Sequence, residues 1–314
     1  MNDPIKSPRR TVLLVVAWGV MLLVSLLPVI ILQEIIHNPT SYQTRVMVSL
    51  IILLVMLLLS FIWHFIRPLR EYFIIFIILL AAEGFFYGLV GNLPAIDPYM
   101  ESKAFVPSML ATQVLRMAVS LVMLAGLMVM KKKRDAFYLV KGDLGAIADP
   151  IPLVMTRPTS WKVLGRALSL MLSLGTLAFL LIAAFPSFIA QFNNGTLGSR
   201  LGQVLVLMPL VLLFAVMNAF SEELTYKASF LSVLNDPVGK RQALLLMATF
   251  FGLGHYYGVP YGIVGVLMAG LLGWLLGKSM LETRGFFWAW FIHFLQDVLI
   301  FSFMALGSVT PDGW

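Results

Sequence analysis

Residues 204–234 read VLVLMPLVLLFAVMNAFSEELTYKASFLSVL, an apolar run that meets no charge until Glu222, takes in Glu223 and Lys227, and continues to Leu234. A helix needs about 20 apolar residues to cross the hydrocarbon core. This stretch is therefore a membrane crossing, and too long for one simple span: it must tilt, break or lie partly in a protein-lined cavity. The disturbance is expected between Ser221 and Lys227. Working outward, eight more runs have the same character, at 11–32, 46–66, 72–93, 107–130, 167–188, 243–258, 262–278 and 286–304. The expected fold is an all-α, polytopic transmembrane helical bundle of about nine spans. Composition agrees. The 314 residues are 60% hydrophobic and 12% charged, with a mean hydropathy of +0.93, against roughly a quarter charged in soluble domains. That excludes a soluble enzyme, a nucleic-acid-binding domain and a disordered tail. With no cysteine, a disulfide framework, a thiolate metal site and a Cys nucleophile are excluded as well.

The net charge of +7 has a membrane explanation, because cytoplasmic loops collect Lys and Arg. Lys6, Arg9 and Arg10 precede the first run, which exceeds a signal-peptide core and is read as an uncleaved span. With the amino terminus inside, seventeen basic residues fall on cytoplasmic segments and three (Arg45, Lys103 and Arg200) on outer ones, Arg116 and Lys227 lying within spans. The expectation is an integral protein of the cell membrane, with a cytoplasmic amino terminus and an outside carboxyl terminus. The polar stretch with Pro150, Pro152 and Pro158 divides the chain into an amino-terminal four-helix segment (1–134), a cytoplasmic connecting loop (135–166) and a carboxyl-terminal membrane domain (167–314). Asn194, in Asn-Gly-Thr, forms a short glycosylation sequon that is frequent by chance.

Charges inside a bilayer cost about 2.5–3.5 kcal/mol each on insertion scales, so each needs a partner, water or a purpose. Glu83 and Arg116 sit at matching depths in adjacent antiparallel spans, and the simplest reading is a structural ion pair, with a place on a substrate path as the alternative. A second set comprises Glu222, Glu223, Lys227, His255, His293 and Asp297. Counted from the inner ends of their spans, Glu222, His255, His293 and Asp297 fall within about 8 Å of one level, using the helical rise. Glu223 and Lys227 are spaced i,i+4 in the favourable order for a pair; His293 with Asp297, and Phe251 with His255, repeat that spacing. Gly254, Gly258, Gly262, Gly273 and Gly277 read first as close helix packing.

A carboxylate beside imidazoles in a partly hydrated pocket can take a proton from water, and the nucleophile so formed can attack a peptide carbonyl while neighbouring polar groups hold the oxyanion. The same groups could ligate zinc, although no H-E-x-x-H pair is present, and a proton-coupled transporter would use similar residues.

At these positions the sequence resembles the CAAX protease and bacteriocin-processing (CPBP, or Abi) family of intramembrane proteases. Its three motifs, E-E-x-x-x-R, F-x-x-x-H and H-x-x-x-N/D, read here Glu222-Glu223-Leu224-Thr225-Tyr226-Lys227, Phe251 to His255, and His293 to Asp297. The resemblance covers roughly residues 200–304. It implies that Glu222 activates water with help from His255, that His293 and Asp297 hold the oxyanion, and that Glu223, Lys227 and Phe251 support them. Lys227 stands where arginine is usual, and a point charge cannot reproduce a bidentate guanidinium. Asp297 stands where asparagine is commoner, and an ionised carboxylate would repel an oxyanion unless it is neutral or orients His293 instead. The implied function is an intramembrane endopeptidase acting on a peptide or membrane-anchored protein in the lipid bilayer, with no nucleic-acid partner. No cofactor is expected, a divalent metal such as zinc staying open because the family is often labelled a metalloprotease. A proton-coupled transporter and a non-catalytic membrane scaffold are the alternatives.

Overall fold

The computed structural model describes residues 8–151 and 155–308; the expectations that rest on Lys6, Pro152 and the side chain of Arg9 lie outside the described residues. In chain order the helices are α1 (Pro8–Val24), α2 (Leu27–Ile30), α3 (Tyr42–Ile62), α4 (Arg70–Phe85), α5 (Asp97–Met100), α6 (Phe105–Val129), α7 (Trp161–Asn193), α8 (Leu197–Glu222), α9 (Ser229–Val238), α10 (Lys240–Leu253), α11 (Ile263–Thr283) and α12 (Phe287–Ser308). Three π-helical turns extend them: Ile31–Ile35 after α2, Phe86–Val90 after α4, and Glu223–Ala228 between α8 and α9. Two short antiparallel strands, β1 (Ile147–Ala148) and β2 (Thr159–Ser160), tie down the long connection before α7. The architecture is an all-α polytopic membrane bundle.

Among the described residues, seven helical runs are long and apolar enough to cross a membrane. The pair Arg10–Val24 and Leu27–Ile35, bent by 51°, makes an eighth if it acts as one span. The bend has a local cause. Pro28 enters the first turn of α2, where its ring cannot follow a helical residue four positions earlier without a clash, and Ser25 Oγ accepts the Leu27 backbone N–H across the break. The ninth expected crossing, 243–258, is made with a helix shorter than a full span. Its helix, α10, has 14 residues, about 21 Å at the helical rise against a hydrocarbon core of about 30 Å. Gly254, Gly258, Pro260 and Gly262, the last with φ of 80°, then carry the chain through an irregular segment to α11. Gly254, Gly258 and Gly262 therefore shape a loop rather than a helix interface. The close approach of α10 to α11 falls instead to Gly252, Gly273 and Gly277: a Cβ on Gly252 would lie 2.6 Å from the Val266 carbonyl oxygen.

The 204–234 stretch sits in a single 42-residue helical run, Leu197–Val238. The disturbance expected between Ser221 and Lys227 is the π-helical turn at Glu223–Ala228. Around it the core is aromatic. Phe76 of α4 packs edge-on against Phe230 of α9 and Phe250 of α10, with ring centroids 4.6 and 5.0 Å apart, and Tyr72 joins at 5.0 Å. At one end of the bundle, Arg10 donates to the Val238 carbonyl, Lys132 pairs with Glu71 at 2.6 Å, and the Asp143 backbone N–H donates to the Thr283 carbonyl. At the other end, Tyr257 and Tyr261 of the 254–262 segment donate to Gln33 and Glu34 at 2.6 and 2.7 Å.

Candidate active site

A cavity of about 440 Å³ enters the bundle between α4, α6, α8 and the end of α10, and Glu83, Arg116, Glu222, Tyr226, Phe251 and His255 line it. The π-helical turn decides what faces it. Ser221, Glu222, Thr225 and Tyr226 border the cavity, whereas Glu223 and Lys227 are fully buried behind it. α10 ends at Leu253, so His255 leaves the helical ladder and reaches the cavity wall. Its Nδ1 lies 2.8 Å from the Phe251 carbonyl oxygen. A carbonyl only accepts, so Nδ1 carries the proton and a neutral ring keeps its lone pair on Nε2.

Glu222 is held from two sides. Arg116 Nη1 donates to Glu222 Oε1 at 2.5 Å, and His293 Nε2 lies 3.7 Å from Glu222 Oε2. The expected ion pair between Glu83 and Arg116 is corrected: both line the cavity, but Arg116 turns to Glu222, and Glu83 accepts the Tyr226 hydroxyl at 2.7 Å. The physical reason lies in the other partners of the guanidinium. Arg116 also donates to Asn218 Oδ1, which accepts from Gln113 Nε2 at 3.3 Å, while Asn218 Nδ2 donates to Asp297 Oδ2 at 3.0 Å. Facing α8, the cation meets an amide and a carboxylate at once; facing α4 it would leave the Glu222 carboxylate without its cation, which is costly in a largely buried site.

His293 and Asp297 do not border the cavity. His293 Nδ1 donates to Glu223 Oε1 at 2.7 Å, and its Nε2 stands 3.7 Å from Asp297 Oδ1. His293 thus braces Glu223, and Asp297 accepts from Asn218. Lys227 Nζ lies 2.7 Å from Glu223 Oε1, outside hydrogen-bond geometry, and 3.6 Å from the centroid of the Phe251 ring. The lysine that replaces the usual arginine therefore rests on an aromatic face, a cation–π contact that suits a point charge.

Among the described residues, no group of three or more His, Asp or Glu side chains could hold a metal ion, and the nearest donors are already engaged, Glu222 by Arg116 and His293 by Glu223. Three participants escaped the sequence reading: Asn218, Gln113 and Tyr226. Asn218 and Tyr226 stand four residues either side of Glu222, and Gln113 three before Arg116. On a helix those intervals mean a shared face, which was the available signal. At the rim, the Glu34 carboxylate accepting from Tyr261 pushes that phenol up to about 12.

Comparison with known proteins bears on the same region. Residues 204–299, 96 of the 314, match the family model described as type II CAAX prenyl endopeptidase Rce1-like. No curated protein and no solved structure matches the chain.

Proposed function

The carboxyl-terminal region of this chain, residues 204–299, belongs with the CAAX-protease family, and from that premise we infer that the cavity hydrolyses a peptide bond within the membrane. The observation that carries the reading is that Glu222 of α8, Arg116 of α6 and His255 of the turn after α10 line one cavity. A water between Glu222 and His255 would give its proton to the Glu222 carboxylate, with the His255 Nε2 lone pair orienting it. The hydroxide then bonds to the scissile carbonyl carbon, and the carbonyl π electrons move to oxygen. Arg116 is the cation on the cavity wall that can meet that oxyanion. As the C–N bond breaks, the leaving nitrogen takes the proton from Glu222, and the carboxylate is restored. His293 holds Glu223 in place from behind and contributes orientation, not contact with substrate.

The substrate is a peptide or a membrane-anchored protein. The test compares membrane-derived peptides from cells carrying the wild type with those from cells carrying Glu222→Gln. Loss of a defined set of peptide termini in the variant is the expected result. Identical termini in both would remove the protease reading in favour of a scaffold.

A further inference from the structure

The two ends of the bundle differ sharply in charge, and the cavity-lining residues that lie near an end lie near only one of them. Of the twenty Lys and Arg side chains in the described residues, fifteen, from Arg10 to Arg284, lie at or within about two turns of the end that carries the 131–160 connection, Gly239 and the turn between α11 and α12. Three, Arg45, Lys103 and Arg200, lie toward the opposite end, and two, Arg116 and Lys227, lie between. In membrane proteins the loops rich in Lys and Arg stay on the cytoplasmic side.

The cavity's outer wall belongs to the lightly charged end. Leu26 follows the end of α1, Arg45 is the fourth residue of α3, Tyr87 lies in the turn that closes α4, and Tyr257 and Gly258 belong to the irregular segment after α10. Val119, Ser221 and Phe250 form the floor, and no lining residue comes from the 131–160 connection or from the turn after α11. The short α10 supports the same placement. Irregular backbone at membrane depth is tolerated where it lines a water-filled cavity, and 254–262 does so at this end, tied to the α2 extension through Tyr257–Gln33 and Tyr261–Glu34.

We propose that the site is entered from the non-cytoplasmic side, so that its substrate is a peptide, or the juxtamembrane segment of an anchored protein, exposed on that face of the membrane. This rests on the protease reading for the word substrate; the direction of access rests on geometry and charge alone. The chain has no cysteine, so single-cysteine variants report cleanly. Val259→Cys probes the rim, where the residue is 90% exposed; Thr112→Cys probes the cavity wall; Lys133→Cys probes the basic end. With a small membrane-impermeant thiol reagent applied to intact cells, Val259→Cys and Thr112→Cys should label to the same extent as after permeabilisation, and Lys133→Cys should gain its label only after permeabilisation. Labelling of Lys133→Cys in intact cells with Val259→Cys silent overturns the proposal, and so does a Thr112→Cys that labels only after permeabilisation. Labelling needs no catalysis, so this result is independent of the Glu222→Gln comparison. Cleavage sites that depend on Glu222 should in turn map to segments on the non-cytoplasmic face; sites confined to cytoplasmic segments would contradict the direction of access while leaving the protease reading intact.

Discussion

At the scale of single residues, the network around Arg116 is the feature with the largest energetic consequence. One guanidinium on α6 holds Glu222 and Asn218, and through Asn218 it reaches Asp297. Removing one member of a charged set strands the remaining charge, at a cost that for a fully buried pair is about 3–5 kcal/mol and is smaller here because the Arg116 side chain is 37% exposed. Arg116→Ala should therefore lose both stability and activity, which would not separate structure from chemistry. Arg116→Lys keeps the charge and loses the fork that reaches two partners. The expected outcome is a protein that melts within a few degrees of the wild type but cleaves about 10²–10³-fold more slowly, the range for loss of an oxyanion donor; melting and cleavage rates measured on one preparation check it. The Glu222–Glu223 doublet was legible in the sequence because two adjacent carboxylates in an apolar run demand partners. The identity of the partner was not legible. Glu83 and Arg116 share a depth, but depth counts position along the membrane normal and says nothing of which way a side chain turns about its helix.

At the scale of elements, the short α10 and the π-helical turn set the site. The turn was anticipated from length and charge at Ser221–Lys227, while the early end of α10 was hidden by continued hydrophobicity, since Tyr256 and Tyr257 keep the run apolar past Leu253, the last helical residue. Glycine spacing misled for the same reason. Gly254, Gly258 and Gly262 fall at intervals of four, which on a helix would mark one packing face, but here they follow the helix end. The real contact gives a contrast to measure. A methyl on Gly252 would meet backbone, the Val266 carbonyl oxygen at 2.6 Å, whereas one on Gly277 would meet the tips of the Met247 and Leu244 side chains. Backbone cannot rotate away and a methionine tip can. Gly252→Ala should cost about 1–3 kcal/mol, as overpacking does, and Gly277→Ala distinctly less, read as the difference in melting temperature between the two variants.

At the scale of the molecule, the amino-terminal helices are part of the site. Arg116 and Glu83 line the cavity from α6 and α4, both outside the 204–299 region that matches the family. The aromatic cluster of Tyr72, Phe76, Phe230 and Phe250 joins the two parts through the core. Phe76 is fully buried, and truncating such a ring costs about 3–5 kcal/mol. If the parts melt as one unit, Phe76→Ala should lower a single thermal transition; a split into two transitions would show them to be separable. The overall architecture was readable from composition because a chain this apolar has few soluble alternatives. Which helices meet was not readable, because lipid-facing and core-facing positions are equally apolar and the usual periodic contrast is missing.

The most direct test of the account is the rate of cleavage, by purified protein in lipid vesicles, of a peptide identified through its dependence on Glu222 in cells. Glu222→Gln and His255→Ala should each lower kcat/KM by about 10²–10⁴-fold, as loss of a general acid–base group does, while Val259→Ala at the exposed rim stays at the wild-type value. Cleavage at the wild-type rate by both Glu222→Gln and His255→Ala would contradict it.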